Sequence, residues 1–192
     1  MTLVALVGID GAGKSTAARA LTTALQERGR HARYFENPGG RPMMNQLARR
    51  QGHDDGVAWL GRDRFEAVEM RVRHAAMRRA QWWGARPDRI AVCDRWMPCQ
   101  YALMAARGSD PAPARERYRG LRSPERTFYL ALAPERAQER IERRGTDHET
   151  LTHLRAFDAA YRALPEFADF TVVDADTTSD SIVEAILAHL DD

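Results

Sequence analysis

The first fifteen residues constrain this chain more than any other stretch. Thr2–Val7 reads as a strand buried on both faces. It runs into Gly8-Ile9-Asp10-Gly11-Ala12-Gly13-Lys14-Ser15, which fits G-x-x-x-x-G-K-[ST] at every fixed position. Ser15–Arg28 follows in a helical pattern and stops at Gly29. A strand, a glycine loop and a helix in this order hold phosphate. Glycines let backbone N–H groups curl around phosphate oxygens without Cβ clashes. The helix N-terminus adds partial positive charge. Lys14 is expected to meet the β- and γ-phosphates, Ser15 to offer its hydroxyl to Mg²⁺, and Thr16 to meet the α-phosphate. Gly8, Gly11, Ala12 and Gly13 complete the expected nucleotide cradle.

Composition sharpens this. Of 29 basic residues, 28 are arginine, and the single lysine is Lys14 of the loop. A protein kinase needs a strand lysine and an HRD loop, so that class is excluded. A guanine motif of the N/T-K-x-D kind needs a second lysine, which argues against a Ras-like GTPase. The net charge of +2 hides an asymmetry: residues 165–192 carry eight acids and no Lys or Arg. The remaining basic body suits a polyanionic ligand. Cys93 and Cys99 form neither a C-x-x-C pair nor a zinc set, and the six histidines have no metal-ligand spacing. The N-terminus lacks a basic signal region, and no apolar run approaches a membrane span, so a cytoplasmic protein without membrane contact is expected.

Short apolar runs alternate with helical patterns along one expected domain, residues 1–192. Strands are expected at Ala32–Phe35, Ile90–Cys93, Thr127–Leu132 and Phe170–Val173. One long amphipathic helix is expected over 57–83, with further helices at Pro98–Arg107, Pro134–Arg144, Glu149–Ala163 and Ser181–Leu190. The alternation predicts an α/β sandwich with a mostly parallel sheet.

Asp94-Arg95-Trp96 ends the third strand, where open α/β sheets bind ligands. A carboxylate there can order metal waters, and an arginine can hold phosphate bidentately. Arg136, Arg140 and Arg144 share one helix face, with Glu139 able to pair with Arg143 on the next. They form either a solvated salt-bridged helix or a lid, at about 136–149, that brings arginines onto a triphosphate.

With these pieces in order, the chain resembles the thymidylate kinase family of nucleoside monophosphate kinases. Gly8–Thr16 is similar to the family's phosphate loop, with Asp10 at the acidic position that meets the acceptor's 3′-hydroxyl. Asn37-Pro38-Gly39-Gly40-Arg41 resembles its E-P-G-G-T turn, and Leu60 to Arg64 its F-x-A-D-R segment. Asp94-Arg95-Trp96 resembles D-R-Y/H, Arg140 to Glu149 the arginine-rich lid, and Phe157 and Tyr161 an F…Y pair. Gly11 in the loop, with arginines in the lid, is similar to the bacterial type. The resemblance implies a three-layer P-loop kinase fold: five parallel strands with helices on both faces. It implies ATP·Mg²⁺-dependent phosphorylation of dTMP to dTDP in a homodimer, with no stable nucleic-acid partner. Lys14, Asp94, Arg95, Arg140 and Arg144 take the catalytic roles, and Ser15 and Asp94 serve the metal. Asp10, Arg41, Leu60, Arg64 and Arg95 take the acceptor, Arg64 reading a carbonyl of the base.

Departures gather on the acceptor side. Leu60 stands for the aromatic that stacks on thymine, with Trp59 and Phe65 nearby. Glu36 stands for a phosphate-clamping arginine, a duty open to Arg41. Cys99 replaces a serine, and Ala102-Leu103-Met104 replaces A-Y-Q. These changes keep open a P-loop kinase for a modified nucleotide or nucleoside. A non-catalytic nucleotide-dependent regulator that uses the basic body to bind nucleic acid is the rival from another class.

Overall fold

The computed structural model of the protein describes residues 2–145 and 148–190. Met1, Thr146, Asp147, Asp191 and Asp192 lie outside that set, so the expected lid and the acidic tail are each covered only in part.

β1 (Thr2–Val7) carries the fold's strongest apolar signal and takes the most enclosed place. Leu3 to Val7 have no exposed surface, because β1 is the central strand. It pairs in parallel with β3 (Arg89–Asp94) on one side and β4 (Arg126–Ala131) on the other. β2 (His31–Glu36) and β5 (Thr171–Asp174) are the edges, giving the all-parallel order β2-β3-β1-β4-β5. Both faces are covered by helices, as a parallel sheet requires. On one side α1 (Lys14–Glu27) packs with α9 (Ser179–Ala188). On the other lie α4 (Arg62–Gly84), α5 (Met97–Ala106) and α8 (Leu151–Arg162), with α7 (Pro134–Arg144) against α8.

Two expectations change. The helix expected over 57–83 is two helices, α3 (Gly56–Leu60) and α4. Gly61, at φ 76° and ψ 157°, leaves helical geometry and separates them. Asp55 starts α3 by accepting from the Val57 and Ala58 N–H groups at 2.9 and 2.8 Å, a standard N-cap. α2 (Arg41–Arg50) and α6 (Ala112–Tyr118) have no counterpart in the sequence reading. Each buries only two residues, Met44 and Ala48 or Ala114 and Tyr118, too few to mark a periodicity.

Register positions the site. Leu6 pairs with Asp94, and Glu36 with Asp94, so the loops leaving β1, β2 and β3 emerge side by side. This is the carboxyl edge of the sheet.

Candidate active site

The loop after β1 takes a shape open to glycine. Gly8, Gly11 and Gly13 have φ of 142°, 86° and 85°. A Cβ on Gly8 would lie 2.8 Å from the Leu130 carbonyl oxygen. One on Gly11 would lie 2.5 Å from that of Ala137 in α7. The loop therefore threads between β4 and α7, and α7 fills the space a side chain at position 11 would need. α1 begins at Lys14 with no side-chain cap, so its first N–H groups face the loop unclaimed by a side chain.

Lys14 is buried, and its Nζ donates to the Ile9 carbonyl at 2.7 Å and lies 3.6 Å from Asp10 Oδ1. Burial lowers its pKa, as does neighbouring Arg95, against the opposing pull of Asp10 and Asp94. Arg95 is the described non-glycine residue with positive φ, at 71°. That backbone is uncommon for a side chain of this size. It lets the Arg95 N–H donate to the Leu6 carbonyl at 2.9 Å while the guanidinium turns to Asp10 at 2.7 Å and Asp94 at 3.3 Å. Burial raises the Asp10 carboxyl, but Lys14 and Arg95 outweigh it and hold the group well below the usual carboxylate range. Burial opposes the Arg95 charge, while Asp10 and Asp94 hold it on.

One cavity of about 630 Å³ joins these groups. Gly11, Gly13, Lys14, Ser15, Thr16, Asp10 and Arg95 line it, while Gly8 and Ala12 are buried and do not. Asp94 is fully buried beneath, accepting from Ser15 Oγ, from Arg95 and, at 3.3 Å, from the Tyr34 hydroxyl. Arg140 and Arg144 reach the cavity from α7. Arg136 stays outside, with Glu139, the partner expected for Arg143, at 2.5 Å and Asp176 at 3.4 Å. Arg41 lines the wall half-exposed, 3.5 Å from Glu149.

Leu60 and Arg64 are not brought to the cavity. Arg64 is on the exposed side of α4, and Leu60 ends α3. Phe65 is packed inside against Gly56, and Trp59 is at the surface, so neither offers a ring to the cavity. In their place the wall holds Glu69, Arg73, Leu103 and Arg107. Leu103 belongs to the segment that departs from A-Y-Q, whereas sequence reasoning missed Glu69, Arg73 and Arg107. Arg73 was one of 28 arginines, and its only signal was a charged position on the inner stripe of an amphipathic helix, beside buried Met70 and Met77.

A parallel five-stranded sheet with a glycine loop feeding a lysine-headed helix, and arginines converging from a second helix, defines a P-loop phosphotransferase. Comparison with known proteins agrees and is more specific. The family model described as thymidylate kinase matches residues 6–186, and the chain belongs to that family. A thymidylate kinase of Xanthomonas campestris pv. campestris (strain B100) is 31% identical over 198 residues, covering 94% of this chain and 79% of that protein. One from Leptospira interrogans is 28% identical, covering 96% and 91%. Among solved structures, a deoxyadenosine kinase from M. mycoides with dCMP and a flexible dCDP bound as products superposes with a TM-score of 0.71. It covers 99% of both chains at 19% identity and supports the fold. Family membership makes the protein an enzyme and removes the ground for a non-catalytic regulator. Among the described residues no helix is long and apolar enough to cross a membrane.

Proposed function

We propose that the chain is a single-domain kinase that phosphorylates dTMP to dTDP with ATP and Mg²⁺. The observation that carries this is one cavity lined both by the phosphate loop and by two arginines: Arg73, which is buried, and Arg107, whose side chain is 8% exposed. A donor triphosphate on the loop and an acceptor nucleotide at these arginines bring their phosphates together beside Arg95. The names of the relatives supply dTMP.

In this reading the loop amides and Lys14 bind the donor's phosphates, and Arg95 holds the acceptor phosphate in line with the γ-phosphorus. Arg140 and Arg144 approach the transferring group from α7, where a well-placed arginine is worth about 10³–10⁵ in rate. Asp10, held ionised, accepts from the acceptor's 3′-hydroxyl. The Ser15 hydroxyl on the Asp94 carboxylate is an all-oxygen donor pair that fits Mg²⁺, which usually takes few protein ligands beside substrate phosphates. When bound, Mg²⁺ would supply charge neutralisation on the phosphate oxygens there. Arg73 takes the base-reading role expected of Arg64, and Arg41 stands near the acceptor entrance.

The test is ADP release by purified protein given ATP, Mg²⁺ and each nucleoside monophosphate in turn. ADP formation with dTMP is expected, and none with any monophosphate overturns the reading. The second reading, a modified nucleotide as acceptor, is favoured by the absence of Leu60, Trp59 and Phe65 from the cavity wall. The same panel separates the two. A homodimer, cytoplasmic location and lack of a nucleic-acid partner remain part of the proposal, checked by light scattering and fractionation.

A further inference from the structure

Residues 66, 69 and 73 are three and four apart on α4, so their side chains share one stripe. All three are charged, and all are at least nine-tenths buried. Arg107 meets this stripe from the end of α5, with Nη1 2.6 Å from Glu69 Oε2 and 3.9 Å from Glu66 Oε1. Glu66 Oε1 also accepts from the Ser109 hydroxyl at 2.9 Å. Arg107 is thus compensated by two carboxylates.

Arg73 is not compensated in this way. Among the described residues no carboxylate pairs with it; Nη1 donates to the Asn37 carbonyl at 3.0 Å, and its buried Nε has no partner. Glu69 uses Oε2 on Arg107, and its Oε1 takes no hydrogen bond from a described residue. Glu69 Oε1 and Arg73 Nη2 come up against the same spot: a Cβ on Gly39 would lie 3.2 Å from the first and 2.8 Å from the second. Glycine at 39 keeps that spot open, and all three residues line the cavity.

A buried ion short of partners is costly unless a ligand completes it. A carboxylate only accepts, and a guanidinium only donates. Side by side they match a planar edge that presents a donor next to an acceptor. We propose that Glu69 is a specificity-determining residue that accepts a hydrogen bond from the acceptor's base while Arg73 donates to the neighbouring atom. Resting on the dTMP reading above, the base atoms are the N3–H and the adjoining O2 carbonyl oxygen of thymine. The base is then selected by its edge at this wall, and the Glu66–Arg107 arm fixes the Glu69 carboxylate.

The test compares kcat/KM for dTMP and N3-methyl-dTMP at saturating ATP. Wild type should prefer dTMP by about 10- to 100-fold, the usual result of leaving a buried polar group unmatched. Glu69→Ala removes the carboxylate and makes room for the methyl, so the preference should collapse to within about threefold of unity. A purely structural role would lower both acceptors alike and leave the ratio unchanged, which would overturn the proposal. Glu69→Gln guards against misfolding of the alanine variant. Its amide can donate as well as accept, so dCMP should improve relative to dTMP by about tenfold or more, and an unmoved ratio counts against us. If neither variant folds, the wild-type ratio decides, and equal use of the methylated acceptor sinks the idea. Turnover of another monophosphate but not dTMP refutes the dTMP reading alone. The comparison is then made with that acceptor's own edge donor methylated. Turnover of no monophosphate refutes both.

Discussion

Gly11→Ala tests the packing of the phosphate loop against α7. Gly11 has φ 86°, and an added Cβ would lie 2.5 Å from the Ala137 carbonyl oxygen and 3.0 Å from its Cα. A left-handed backbone costs an L-residue about 1–2 kcal/mol. Ordinary contact begins near 3.4 Å, so loop and α7 must also separate by about 0.9 Å, and overpacking on that scale costs about 1–3 kcal/mol. Gly29→Ala supplies the comparison: φ is 74°, and an added Cβ meets nothing within 4 Å. It should lose only about 1–2 kcal/mol. Equilibrium urea unfolding of the three proteins should therefore place Gly11→Ala about 1–3 kcal/mol below Gly29→Ala. Because α7 carries Arg140 and Arg144, Gly11→Ala should also lower kcat by up to about 10²-fold, as misplacement near 1 Å does. Gly29→Ala should turn over as wild type. Equal stability of the two variants would refute the close contact between the loop and α7.

Three further outcomes are expected. Lys14→Ala should reduce kcat/KM by far more than tenfold while circular dichroism stays native; activity within about tenfold of wild type removes Lys14 from the mechanism. Burial and Arg95 lower the Lys14 pKa from 10.5, so its charge is lost as pH rises through a lower value; the alkaline limb of kcat/KM for ATP should fall below 10.5, and a limb at or above it contradicts the reading. The Asp10 carboxyl is depressed in the fold, so the stability it contributes is present above its ordinary value of 3.8 and is lost as pH falls through the depressed one. Asp10→Asn should therefore be less stable than wild type at neutral pH, with a gap that closes on acidification; a gap that widens would reverse the sign.

Local pattern made the donor half legible. Gly8 to Ser15 carry their geometry in residue type, because only glycine takes φ near 85–142° freely, and a lone lysine among arginines marks the helix head. The apolar run of β1 and the proline-started α7 were equally local signals. The acceptor half depended on which face of a helix turns inward, and that is not local. Arg64 and Arg73 are nine residues apart, about two and a half turns, so they project from opposite faces of α4. Similarity of spacing points to Arg64, whereas packing of Met70 and Met77 into the sheet core turns Arg73 to the cavity.

By itself the sequence determined the strand–loop–helix unit, the parallel α/β class and the phosphate chemistry, because each is set by residue type over a few adjacent positions. Tertiary structure alone decided the positive φ of Arg95, the burial of Asp94 under Ser15, and the meeting of Glu69, Arg73 and Arg107 across two helices. Those depend on strand register and helix rotation, which are fixed only when the whole core packs.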